Sequence, residues 1–156
     1  MATLLALYSV EASVEPAVVT VVTTELAAVT GLQVCRSRQD VSKVTPRVEV
    51  LLTLGAKTGG RRASSGAMEL MEWLGTLTFS VVTNRKKNGS SHDDILGRLR
   101  VMCLYGQNKF ASTPTNHAIL KMEDAGTTHS VDEASDEQVT DLSFDVRIGI
   151  RHSVWP

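Results

Sequence analysis

The stretch LSFDVRIGIR, residues 142–151, decides the fold. Leu142, Phe144, Val146, Ile148 and Ile150 alternate with Ser143, Asp145, Arg147, Gly149 and Arg151. An apolar residue at every second position puts one face of a strand in a core and the other at water or a partner. Working backwards, residues 123–141 hold seven acids and no Lys or Arg. The strand paired with this one is expected over residues 118–123. The chain therefore ends in a β-hairpin whose tip, over residues 124–137, is expected to be a long acidic loop.

Earlier segments alternate in the same way. Val48, Val50, Leu52 and Leu54 line one face of a strand opened by Pro46 and ended by Gly55. Leu77, Phe79 and Val81 line a third strand, from about Glu72 to Thr83, and Leu32 to Arg38 forms a short one. Between strands, residues 56–67 carry Lys57, Arg61 and Arg62 among glycines and serines, a composition that predicts a mobile basic loop. A second basic turn holds Arg85, Lys86 and Lys87.

Two helices complete the set. Val18, Val22, Leu26 and Val29 recur at helical spacing from about Pro16, with Glu15 favourable at the positive end and Gly31 as the stop. Ser91 caps the second helix, and Asp93 and Asp94 oppose its dipole. Ile95, Leu96, Leu99, Met102 and Cys103 form its apolar stripe, and Gly106 ends it. The order is α-β-β-β-α-β-β. It predicts one α+β domain over residues 1–156, with a mainly antiparallel sheet of about four to five strands and two helices on one face.

Composition narrows the function. The chain has 156 residues, 42% apolar and 21% charged, as an ordinary globular domain does. A net charge of −1 excludes wholesale nucleic-acid binding, which needs a basic excess. The charge is uneven, with seven Lys and Arg against two acids from Arg36 to Arg62. A basic end and an acidic end let copies meet head to tail. Cys35 and Cys103 match no zinc spacing and are expected to be reduced and buried. No stretch reaches eighteen apolar residues, so the expectation is a soluble intracellular product with no membrane partner.

Catalytic signatures are weak. Gly55 to Gly60 places its lysine, Lys57, where a phosphate loop does not. His92, His117, His129 and His152 lie at no metal-ligand spacing, and each is expected to be solvated. Cys103 sits on an apolar stripe, where a thiol is inert. Asp132, Glu133, Asp136 and Glu137 sit on a flexible tip, whereas catalytic carboxylates need rigid placement. The expectation is therefore no enzyme, no metal and no cofactor. The charges Lys57, Arg61, Arg62, Arg85, Lys86, Lys87, Asp132, Glu133, Asp136 and Glu137 are assigned instead to subunit contacts or a channel.

The element order resembles the tail terminator and tail-completion proteins of long-tailed bacteriophages. The resemblance rests on the N-terminal helix and on the strand opened by Pro46, Arg47 and Val48. It rests also on the long loop, the helix introduced by Ser91, His92, Asp93, Asp94 and Ile95, and the closing hairpin. It spans about residues 13 to 151. It implies a virion protein: a ring of identical subunits, typically six, that caps the tail tube, joins it to the neck connector and leaves a channel for DNA. Non-specific contact with that DNA is implied as well. The alternatives are another head–tail junction protein, a neck stopper or adaptor, and a non-viral soluble binding module. A small hydrolase or transferase is the least favoured.

Overall fold

The structure, a computed structural model, describes residues 10–39, 44–55, 61–65, 68–105, 110 and 117–150. For residues 61–65, 68–72 and 150 it describes the backbone alone. Helix α1 spans Val10–Glu25. Strands β1 (Gln33–Arg36), β2 (Arg47–Leu54), β3 (Arg61–Ser65) and β4 (Met68–Asn84) follow. Helix α2 (Ser90–Tyr105) and the hairpin of β5 (His117–Asp132) and β6 (Glu137–Ile150) complete the chain.

The strands form one sheet in the order β1-β2-β4-β6-β5, with β3 alongside β4. Alternation set the burial as expected. Val48, Val50 and Leu52 of β2, Leu77, Phe79 and Val81 of β4, and Leu142, Phe144, Val146 and Ile148 of β6 are all buried. The register aligns them in rows, Leu52–Leu77–Phe144 and Val50–Phe79–Leu142. Phe79 meets Phe144 edge to face at 6.0 Å between ring centres, a favoured aromatic geometry.

Both helices cover this face. α1 contributes Val10, Val14, Val18, Val22 and Leu26; α2 contributes Ile95, Leu96, Leu99, Met102 and Cys103. The α+β class, the helix pair and the hairpin are thus as the sequence predicts. α1 begins earlier than Pro16, which lies inside it. Proline removes one helical hydrogen bond, and burial of Val10 and Val14 stabilises the extra turn against that loss.

Two expectations need correction. First, Arg61–Ser65, expected as a mobile loop, forms β3 and pairs with Met68–Glu72. The glycines that suggested a loop stand outside it, at residues 59, 60 and 66, and the strand between finds its hydrogen bonds in β4. Second, most of residues 124–137 is strand. β5 and β6 pair down to Asp132 and Glu137, leaving a turn of only four residues, Glu133 to Asp136. Cross-strand pairing of exposed Thr127, Thr128 and Ser130 outweighs the acidic composition. The sheet is mainly antiparallel as expected, with β1 parallel to β2 its one parallel pair among the described strands.

A buried carboxylate fixes α1 to the sheet. Glu15 has no exposure and accepts from Arg36 Nε at 2.9 Å, Arg38 Nε at 3.1 Å and the Leu52 N–H at 2.7 Å. Arg38 Nη2 donates to the Leu52 carbonyl at 2.6 Å. Glu15→Ala is expected to lower stability by about 3 kcal/mol, the low end for removing one partner of a buried pair, because Arg36 and Arg38 keep some contact with water. Urea unfolding checks this: the midpoint should fall with little change in slope.

Candidate assembly surface

The two oppositely charged segments of the sequence meet within one chain. β4 and β6 run to the same end of the sheet, where Asn84 pairs with Glu137. The turn after β4 therefore sits beside the tip of the β5–β6 hairpin. Arg85 Nη2 lies 3.0 Å from both Glu133 and Asp136, and Lys86 Nζ lies 3.0 Å from Asp136. The Arg85 N–H donates to the Asp136 carbonyl at 2.8 Å. Asp136 adopts a φ of 58°, which closes the tight turn. Hydrogen bonds from Lys86 and Arg85 hold its carboxyl below the usual carboxylate range. Such exposed pairs stabilise weakly and screen easily.

The other assigned charges are spread out. Arg61 and Arg62 lie on β3, at the opposite end of the sheet from the tip. Lys87 is exposed, with its N–H bonded to Asn84 Oδ1. Asp132 accepts the Ala134 N–H, and Glu137 opens β6. Lys57 lies outside the described residues. The structure brings Arg85 and Lys86 to Glu133 and Asp136, and does not bring Arg61 and Arg62 to them.

The histidines depart from expectation. His92 and His117 are buried; His117 packs edge-on against Trp73 at 5.2 Å. His92 Nδ1 is 2.8 Å from Thr83 Oγ1 and its Nε2 is 2.7 Å from Thr140 Oγ1, which in turn is 2.7 Å from His129 Nδ1. A neutral chain satisfies all three contacts, with the Thr83 hydroxyl donating to His92, His92 Nε2–H to Thr140, and the Thr140 hydroxyl to His129. Burial pushes the His92 imidazole below its usual value, and nearby His129 adds to the shift. A signal was present: His92 is in phase with Ile95, Leu96 and Leu99, and Thr140 continues the alternation of Leu142 and Phe144. His152 lies outside the described residues.

These groups do not assemble a reactive centre. Burial pushes the Cys103 thiol up to about 12, and burial followed by the Glu49 charge raises Cys35. Low thiolate character makes both poor nucleophiles. Among the described residues no group of three His, Cys, Asp or Glu is placed to hold a metal. No helix among them is long and apolar enough to cross a membrane.

The outward surfaces are more informative. The uncovered sheet face carries Thr76, Thr78 and Ser80 bonded across to Asp145, Ser143 and Asp141. At one end of it a hollow of about 250 Å3 is lined by Leu74, Lys121, Glu123, Asp145 and Arg147. Leu74 and Leu120 are 60% and 50% exposed. On the opposite side, a groove of about 720 Å3 runs along α2 past Asp94, Gly97, Val101 and Tyr105. Val101 and Tyr105 are 60% and 85% exposed. Large apolar side chains left at water on two faces mark contact surfaces better than catalytic clefts.

Stability should fall as pH drops through 6.5. Folded His92 titrates below that value, so the unfolded chain takes up a proton that the folded chain refuses, and stability is lost as the pH falls. Thermal melts across pH check this, and His92→Gln should flatten that part of the profile.

No known protein family's profile matches the sequence, and no curated protein matches it. Solved structures do share the fold. A chain in the virion of a native gene transfer agent particle superposes with a TM-score of 0.59 at 14% identity, covering 91% of this chain and 98% of that one. A second solved chain, carrying no functional description, gives 0.52 at 12% identity, covering 93% and 94%. The likeness covers 91% and 93% of this chain, and at these identities it is of the fold alone.

Proposed function

We propose that this chain is a structural protein of a phage-like virion, and within it a tail terminator or tail-completion subunit. The observation that carries the proposal is the end-to-end likeness to a chain of a gene transfer agent virion, with nearly all of both chains overlaid. The surfaces are consistent with that work. Exposed Leu74 and Leu120 on the sheet and Val101 and Tyr105 on α2 offer two separate faces to neighbours.

In this reading identical subunits form a ring, probed first as a hexamer, that caps the tail tube on one face and meets the neck connector on the other. The mechanism is mechanical. Bound subunits end tube growth and present a new surface to the head, and the ring's opening lets DNA pass. Arg61 and Arg62, with Lys57, are placed at contacts between subunits, where charge sets register more than affinity. Contact with the passing DNA is electrostatic and without sequence preference, because no aromatic residue interleaves with those cations.

Electron images of the purified chain mixed with tail tubes test this. Rings in solution, or a ring-shaped cap at one end of the tubes, are expected. A chain that stays a monomer at high concentration and leaves tubes uncapped would overturn it.

A further inference from the structure

The edges of the sheet differ in kind. On the β1 side the edge strand has only four residues, and beyond its end Glu15 and Arg38 occupy the N–H and carbonyl of Leu52 on β2, where β1 would otherwise continue. On the far side, β5 pairs only with β6 among the described residues, over His117–Asp132. Alternate N–H and carbonyl groups along its outer side therefore face no described strand. Proteins usually blunt such edges with lysine, proline, bulges or inward charge. The first half of β5 follows that practice, with Lys121, Glu123 and Asp124 and register shifts at 119/121 and 124/126. From Ala125 to Val131 there is no acid, lysine, arginine or proline, and residues 125–130 are exposed.

The third edge belongs to β3. Among the described residues the β4–β6 ladder runs to Glu72–Gly149, and Met68 to Met71 pair with β3 alone. This two-stranded arm extends past the sheet at one end. The uncharged stretch of β5 lies at the other end, level with residues 138–143 of β6. Two strands without a third neighbour are marginal in water. Charge matches as well. β3 carries Arg61 and Arg62, whereas Asp124 and Asp132 flank the open stretch and no Lys or Arg occurs between Lys121 and Arg147.

We propose that residues 125–131 of β5 take the β3 strand of a second copy, which adds to the sheet through backbone hydrogen bonds while Arg61 and Arg62, at one end of β3, meet the acid flanking that end of the receiving stretch, Asp132 in one direction of pairing and Asp124 in the other. Each copy then donates at one end and receives at the other. Such a head-to-tail contact repeats from subunit to subunit and closes into a ring when the rotation permits. The inference rests on the assembly reading above and specifies which edges make it.

Two full-length variants test it by mass photometry: Asp124→Lys with Asp132→Lys, and Arg61→Glu with Arg62→Glu. Each alone should associate at least about tenfold more weakly than the parent chain. Mixed in equal amounts they should recover assembly, since the basic edge of one accepts the acidic arm of the other; recovery also shows that both variants fold. Hydrogen exchange should slow at residues 61–65 and 125–131 on assembly of the parent chain. Assembly unaffected by either pair of substitutions, no recovery on mixing, or fast exchange at 125–131 in assembled chains overturns the edge pairing while leaving the assembly reading in place. A parent chain that never associates overturns both.

Discussion

The carboxylate of Glu15 is the contact on which the arrangement turns. It sits with no exposure beneath α1, held by two guanidinium groups and one backbone N–H. A lone buried carboxylate would be strongly unfavourable, and this one is tolerable because every approach to it supplies a donor. Its partners come from three places: α1 holds the acid, Arg36 and Arg38 come from β1 and the residues after it, and Leu52 lies in β2. One side chain thus fixes the helix, the parallel edge strand and the adjoining strand together. It also marks where β1 ends its ladder on β2, because Glu15 and Arg38 take the Leu52 polar groups on that side.

The two sides of the sheet differ. One ends in a four-residue strand, while the other is a long strand with an uncharged, exposed half. The helices cover one sheet face, and the other presents hydroxyls and carboxylates bonded across strands. An antiparallel arrangement tolerates water on one face, so the open face needs no cover to be stable. The paired turn of Arg85 with Glu133 and Asp136 keeps the hairpin tip against the body of the sheet.

The polar groups inside are structural in the same sense. Thr83, His92, Thr140 and His129 tie β4, the start of α2, β6 and β5 through three short contacts. In a poorly solvated setting such a chain specifies one arrangement because an unpaired member is costly. Its members come from segments far apart in sequence, which is why the histidines looked solvated when each was considered with its neighbours alone.

Local pattern settled much of this protein. The two-residue period in 142–150 and 48–54 and the helical period in 95–103 named the core faces, because a side chain's direction follows directly from backbone geometry. The same patterns gave the α+β class and the closing hairpin. What tertiary structure decided were the matters of partnership. Arg61–Ser65 became a strand because β4 lay alongside it, and the acidic tip became a paired ladder because β6 did. Glu15 moved from a helix-start acid to a buried clasp because Arg36, Arg38 and Leu52 converge on it. Periodicity tells each residue which way to point, whereas charge and hydrogen bonding depend on which groups the fold brings within about 3 Å.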